Sequence, residues 1–353
     1  MTNTTHRTLD WSLAAPVASR VAGKYPLAET YHIANMSRTM PGVVAKAAAL
    51  VTEETGLDTP GVPEVLVVTR GQWAERNLAT FAHLLAPIEA KIAQRLEETG
   101  AGGVPALVAR KLVAVETGAI LGFLARRVLG QYELVLPTGD QGDVVAIVGA
   151  NILALERQQQ FRPDEFRMWI ALHEATHRAQ FIGVAWLRPY FLSLVSELVA
   201  SASPPSAGRL ARLVAEVIEA GRRGKPVVDE TGLLGLLASP EQRRAIDKVQ
   251  ALMSLLEGHG HVIMDRVGAR LLPTQDRMSS ILKARRNDPR TAAFFRLTGM
   301  EMKMRQYELG ERFIKTVESE AGWSALDRAW QGPELLPTLA EIEQPQLWLQ
   351  RAA

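Results

Sequence analysis

The sequence predicts an α+β fold, predominantly α-helical, with one small sheet. Long stretches repeat apolar residues at the three-four spacing of amphipathic helices, and three short segments carry the β-branched apolar composition of strands. With 353 residues, 47% of them hydrophobic, the chain can bury a sizeable core. Length alone suggests two domains, but no stretch marks a convincing boundary, so residues 1–353 read as one unit.

Residues 1–60 read as an N-terminal helical segment, and residues 61–200 carry the sheet and the most informative helix. Strands are expected at 65–69, 132–136 and 143–149, the last preceding that helix by the length of a loop. Helices are expected over 72–98, 104–129, 163–182, 190–201, 208–222, 240–270 and 291–320. The 163–182 helix is marked by Pro163 in its first turn and by Asp164 and Glu165 near the positive end of its dipole. Residues 201–208 are rich in serine and proline and 221–226 make a second break, so 201–238 reads as an insertion or lid. Residues 239–353 then hold a long helix and the C-terminal helices. The long helix opens on Ser239, Pro240 and Gln242, which supply an N-cap, a first-turn proline and the third position of a capping box. Ile246, Val249, Met253, Leu256, Gly260, Ile263 and Val267 continue it as a buried stripe.

Within the 163–182 helix stands His173-Glu174-Ala175-Thr176-His177. Residues four apart on an α-helix are separated by about 40° around its axis, so both imidazoles can reach one metal ion, with Glu174 beside it as a general base. Phe166, Ile170, His173 and His177 share one stripe, whereas Arg167 and Arg178 point elsewhere. Catalytic zinc takes three protein ligands and leaves a position for water, so a third ligand is required. The extended pattern with glycine and a third histidine shortly downstream is excluded, since Gln180 and Gly183 occupy those positions. Glu257, His259 and His261 are the remaining candidates. Glu257 and His261 lie one turn apart on the same side, while His259 lies about 200° round from Glu257. Glu257 is the preferred third ligand and His261 the alternative. Gly258 and Gly260 each cost about 1 kcal/mol in a helix interior, and close approach of another helix is the simplest reason for them. A tetrahedral oxyanion would need a further donor, for which Tyr307, His261 and His259 are candidates, and Asp265 could orient His261.

Several separated motifs resemble a known family. Glu257-Gly258 followed by a ring residue is similar to the third-ligand helix of gluzincin aminopeptidases, although 80 positions separate His177 from Glu257 here. Trp169-x-x-x-His173-Glu174-x-x-His177-x-x-x-Phe181, Trp186-Leu187, Glu257-Gly258 and Gly299-Met300-Glu301-x-Lys303-x-x-Gln306-Tyr307-x-x-Gly310-x-x-Phe313 resemble the actinobacterial-type zincin-like hydrolases of otherwise unknown function. The ending agrees too, with Trp330, Pro333-Glu334-x-Leu336-Pro337-Thr338-x-x-Glu341-Ile342 and Pro345-x-x-Trp348. The resemblance implies a zincin-like core and Zn2+ as cofactor. One branch of that family is associated with biosynthesis of a deazaflavin coenzyme, which is context and supplies no substrate. The histidine-rich run 258–261 departs from the Glu-Gly-Trp of relatives.

Charge and composition narrow the partners. Forty basic and 38 acidic side chains nearly cancel to +2, and the basic pairs Arg126-Arg127 and Arg222-Arg223 and the cluster at 283–290 lack interleaved aromatics, so nucleic acid is not expected. The 283–290 cluster could instead hold a substrate carboxylate or phosphate. The absence of cysteine excludes disulfides and thiolate metal sites. The N-terminus lacks the apolar core of a signal peptide, and the longest apolar run, 144–155, is too short to span a bilayer, so the cytoplasm is expected. Strand 143–149 reads either as a sheet edge that adds an extended peptide or as a buried core strand. The leading expectation is a zinc-dependent peptidase or amidase. A catalytically silent zinc-binding scaffold in a cofactor pathway and a hydrolase of small metabolites are the alternatives.

Overall fold

The structure, a computed structural model, describes residues 10–99, 104–135, 141–200, 240–286 and 301–352. The expected lid at 201–238, the helix at 208–222 and residues 287–290 of the basic cluster lie outside the described residues. The chain divides into two compact units, Met1–Gly183 and Val184–Ala353.

In the first unit the helices are α1 (Trp11–Ala22), α2 (Tyr31–Thr55), α3 (Arg70–Thr99), α4 (Val104–Ala125), α5 (Gly149–Gln159) and α6 (Pro163–Gly183). The strands are β1 (Glu64–Val68), β2 (Gly130–Val135) and β3 (Gln141–Val148). Asp10 starts α1 by accepting a hydrogen bond from the Leu13 amide (3.2 Å). Ala14, Ala18 and Ala22 then bury one narrow face against α4, in a core shared with Trp73 and Leu78 of α3 and Ala146 and Val148 of β3. Along α2, Met36, Met40, Val44, Ala47 and Val51 make the buried stripe, and α2 packs on α6.

The sheet order is β1-β3-β2, with β1 parallel and β2 antiparallel to β3. The edge reading of 143–149 is therefore corrected. β3 is the central strand, Val144 to Val148 are all buried, and the borders of the sheet are β1 and β2. A second correction concerns the segment between β3 and α6. In place of the expected loop stands α5, because the apolar run 144–155 passes from strand directly into helix and has no period that separates the two. Buried Asn151 secures that junction, donating to the carbonyls of Ala125 (2.8 Å) and Val128 (2.6 Å) and accepting from Arg70 Nε (2.6 Å).

β2 alternates as its pleat requires. Gln131, Glu133 and Val135 face α3, where Arg76 forms a forked ion pair with Glu133 (2.8 and 2.5 Å) and Asn77 exchanges amide hydrogen bonds with Gln131. Gly130 and Tyr132 face α6, with the Tyr132 ring near Phe181 (6.5 Å between centroids).

The second unit contains α7 (Leu187–Ala200), α8 (Pro240–Leu271), α9 (Gln275–Arg286), α10 (Glu301–Ala321), α11 (Leu339–Glu343) and α12 (Pro345–Ala352), with a 3-10 helix at Trp323–Trp330. α8 begins at the expected proline. It packs on α10 at Gly258 and Gly310: a Cβ on Gly258 would lie 2.2 Å from the Gly310 carbonyl carbon, and one on Gly310 1.9 Å from the Ser254 oxygen. Here the two helices touch backbone to backbone, which accounts for Gly258. The C-terminal helices close over α10 through fully buried Trp348, whose ring meets Phe313 edge-on and whose Nε1 donates to the Leu335 carbonyl (2.8 Å). Arg351 forks onto Glu341, which also completes the Thr338 capping box. Among the described residues no single helix is long and apolar enough to cross a membrane.

The heaviest polar anchor of the first unit is Arg178, 1% exposed. It forks onto Asp143 at the start of β3 (2.8 Å twice) and donates to the carbonyls of Thr59, Pro60 and Gly61. Arg178→Met should leave Asp143 and three carbonyls without their donor and cost about 3–5 kcal/mol, read as a lower denaturation midpoint in urea followed by circular dichroism.

Candidate metal centre

α6 presents the sequence motif as expected for a helix. The Nε2 atoms of His173 and His177 lie 3.1 Å apart and the rings stand nearly perpendicular, at 82°. Two nitrogens each about 2.0–2.1 Å from a tetrahedral ion would be about 3.3 Å apart, so this spacing fits a shared metal. His177 turns its other nitrogen, Nδ1, to the side-chain oxygen of Gln180 (3.0 Å), which is fully buried one turn on. His173 and His177 thus present two adjacent nitrogen ligands on one face of α6. Two imidazole nitrogens, in a chain without cysteine, are ligands suited to zinc.

Glu174 is buried (4% exposed). A Cβ built on Gly130 would fall 2.7 Å from its Oε1, so the carboxylate rests directly on the backbone at the head of β2. Only glycine leaves that room. Thr176 satisfies itself within the helix by donating to the Leu172 carbonyl (2.8 Å), and Arg167, on the outer side of α6, forks onto Glu156 of α5.

On α8 the three sequence candidates are all buried but face different surroundings. Glu257 is buried beside Gly258, at the level where α8 meets α10. His259 packs between Trp323 (5.8 Å, stacked) and Trp330 (5.2 Å, edge-on), so its ring belongs to the C-terminal core. His261 faces Glu311 of α10. Asp265, which the spacing allows to orient His261, accepts instead from Gln275 Nε2 (2.8 Å). Tyr307 stands on α10, with its side chain outside the described residues.

Lys283, from the cluster considered as an anion holder, instead reaches Glu311 (3.6 Å), which also accepts from Lys315 (2.6 Å). Burial would raise the Glu311 pKa, but the Lys315 hydrogen bond and the charges of Lys315, Lys283 and His261 outweigh it, and the carboxyl is held below its ordinary value. For Asp265 the balance is reversed. Burial and the negative Glu311 push it up, against the weaker pull of Lys283, Lys315 and Gln275.

Three functional elements escape sequence reasoning. Gln180 enters the sequence pattern only as the residue excluding a longer motif, although its three-residue offset from His177 permits the contact. Gly130 and Arg178 give no comparable signal, because their partners are distant in sequence.

A family model described as a zincin-like metallopeptidase matches residues 9–349. A crystal structure from Chloroflexus aurantiacus, provisionally described as a hydrolase with a novel fold, is 31% identical, with a TM-score of 0.71 over 97% of this chain and 98% of that one. Among curated proteins none matches the chain.

The raised pKa of Asp265 sets a sign for stability. A carboxyl whose folded pKa exceeds its unfolded one contributes stability below the unfolded pKa and loses it as pH rises through the folded pKa. At neutral pH the ionised Asp265 is therefore a net cost. Asp265→Asn, which keeps an acceptor for Gln275, should raise the thermal midpoint at pH 7, with the gain shrinking as pH falls through the carboxylate range.

Proposed function

Because the chain belongs to the zincin-like metallopeptidase family, we propose that it is a cytoplasmic zinc-dependent hydrolase of peptide or amide bonds. In this reading His173, His177 and Glu257 hold the metal and Glu174 is the general base. One observation carries it: the Nε2 atoms of His173 and His177 converge to 3.1 Å while Glu174, next to His173, is buried against Gly130. A bound zinc ion would polarise the scissile carbonyl and lower the pKa of a water towards neutrality.

The chain's own residues supply the remainder. Glu174 takes the proton of the attacking water and returns it to the leaving nitrogen. Burial against β2 restricts its rotamers, so the base is held in place before substrate arrives. β2 borders the sheet beside α6, and an extended peptide could add to it through main-chain hydrogen bonds, with its residues alternating as β2 does. This favours a peptide over a small metabolite. His261, one turn beyond Glu257, and Tyr307 are the candidate donors to a developing oxyanion.

Metal analysis after purification without chelator should find about one zinc per chain, lost in His173→Ala, His177→Ala and Glu257→Ala and kept in His261→Ala. Loss of zinc in His261→Ala alone would overturn the ligand assignment. Glu174→Gln should keep the metal while hydrolysis of a peptide library falls by about 10²–10⁴-fold; a wild type with zinc and no hydrolysis would point to the silent scaffold instead. Gly130→Ala should also retain zinc, yet lower kcat by about 100-fold, because the new methyl group displaces the Glu174 carboxylate.

A further inference from the structure

We infer that Gln180 is a positioning residue for the metal centre, fixing the tautomer and rotation of His177 so that its Nε2 lone pair faces His173; the inference rests on the zinc reading above. A neutral imidazole carries one N–H and one lone pair, and the hydrogen bond at one nitrogen decides which is which. In this chain Nδ1 of His177 lies 3.0 Å from Gln180 Oε1, an oxygen that can only accept. Nδ1 therefore carries the hydrogen and Nε2 the lone pair. That lone pair is directed at the position where His173 Nε2 arrives, 3.1 Å away.

The contact also fixes the ring. Rotating the imidazole by half a turn would remove the N–H from Gln180 and put a carbon at the metal-facing position. Gln180 is wholly buried on the interior of α6, three residues from His177, so its own side chain has little freedom to release the ring. A hydrogen bond of this kind also raises the basicity of the ligating nitrogen, and losing such a partner typically weakens metal affinity by about 10–100-fold. The ordinary alternative is a buried glutamine that merely fills space. The two differ in what a carboxylate at position 180 would do. It accepts the same N–H, so positioning survives, whereas a packing role is damaged more by a buried charge than by an apolar side chain of similar volume.

The test measures zinc affinity by competition with a chromophoric chelator for wild type, Gln180→Met and Gln180→Glu, with thermal melts of the zinc-free proteins alongside. The His177 tautomer is read in each zinc-free protein from long-range ¹H–¹⁵N correlations. Positioning predicts about 10–100-fold weaker zinc binding in Gln180→Met, near-wild-type binding in Gln180→Glu, and an Nδ1–H tautomer in wild type and Gln180→Glu that is lost in Gln180→Met. Equal zinc affinity in wild type and Gln180→Met, or a melt-matched Gln180→Glu that binds worse than Gln180→Met, overturns it. A folded wild type that binds no zinc overturns the metal reading itself, and the tautomer spectra separate that result from a failure of Gln180 to orient the ring.

Discussion

Burying a polar helix is the constraint on which the first unit depends. α6 encloses Glu174, Thr176, Arg178 and Gln180 within seven residues, and each has lost its water. An unmatched polar group in that setting costs more than a hydrogen bond returns, so the surroundings must be built to match. Asp143 and three carbonyls at 59–61 answer Arg178, the Leu172 carbonyl answers Thr176, His177 answers Gln180, and bare backbone at Gly130 accommodates Glu174. The start of β3, the loop before β1 and the head of β2 are thus all placed by demands of one helix. Among the described residues the sheet has three strands, pinned by ion pairs at Asp143 and Glu133 as well as by its own ladder.

The second unit solves a different problem, that of presenting a carboxylate at a defined point on a long helix. Gly258 and Gly310 bring α8 and α10 into backbone contact, and a contact without side chains between has almost no slack. Rotation of α8 about its axis would drive Ser254 into Gly310. His259 adds a second stop on the opposite side, held between Trp323 and Trp330. Glu257 lies between these two fixed neighbours on α8. The angular separation of Glu257 and His259 places the two side chains on different sides of α8, with His259 in the C-terminal core.

Much of this is legible in the sequence where the signal is local. Pro163, Ser239 and Pro240 mark the starts of α6 and α8, and the His-Glu-x-x-His spacing carries its own geometry on any helix. That Glu257 and His259 face different sides of one helix follows from the helical repeat alone. The features that stay hidden need tertiary information. Nothing in the apolar run 144–155, broken by Asn151 alone, distinguishes a central strand from an edge strand, or marks where β3 yields to α5. Arg178 resembles a solvated arginine because its acid, Asp143, is 35 residues away. His261 and Asp265 are one turn apart, yet Asp265 pairs with Gln275 on the next helix, since an i, i+4 spacing permits a contact without requiring it.

The arrangement also bears on how metal affinity is generated. Binding energy is reduced by whatever must be ordered when the ligand arrives. In this chain little remains to be ordered on α6: the two histidines share a rigid helix, Gln180 holds one ring, and Arg178 ties the helix to the sheet. The ordering was done during folding, and its cost appears as the desolvation of α6. Since an ion that binds the folded chain and not the unfolded one stabilises the fold by mass action, metal and polar core support one another. The helix whose polar residues are expensive to bury is also the one that carries His173 and His177, so an ion bound there would offset part of that cost.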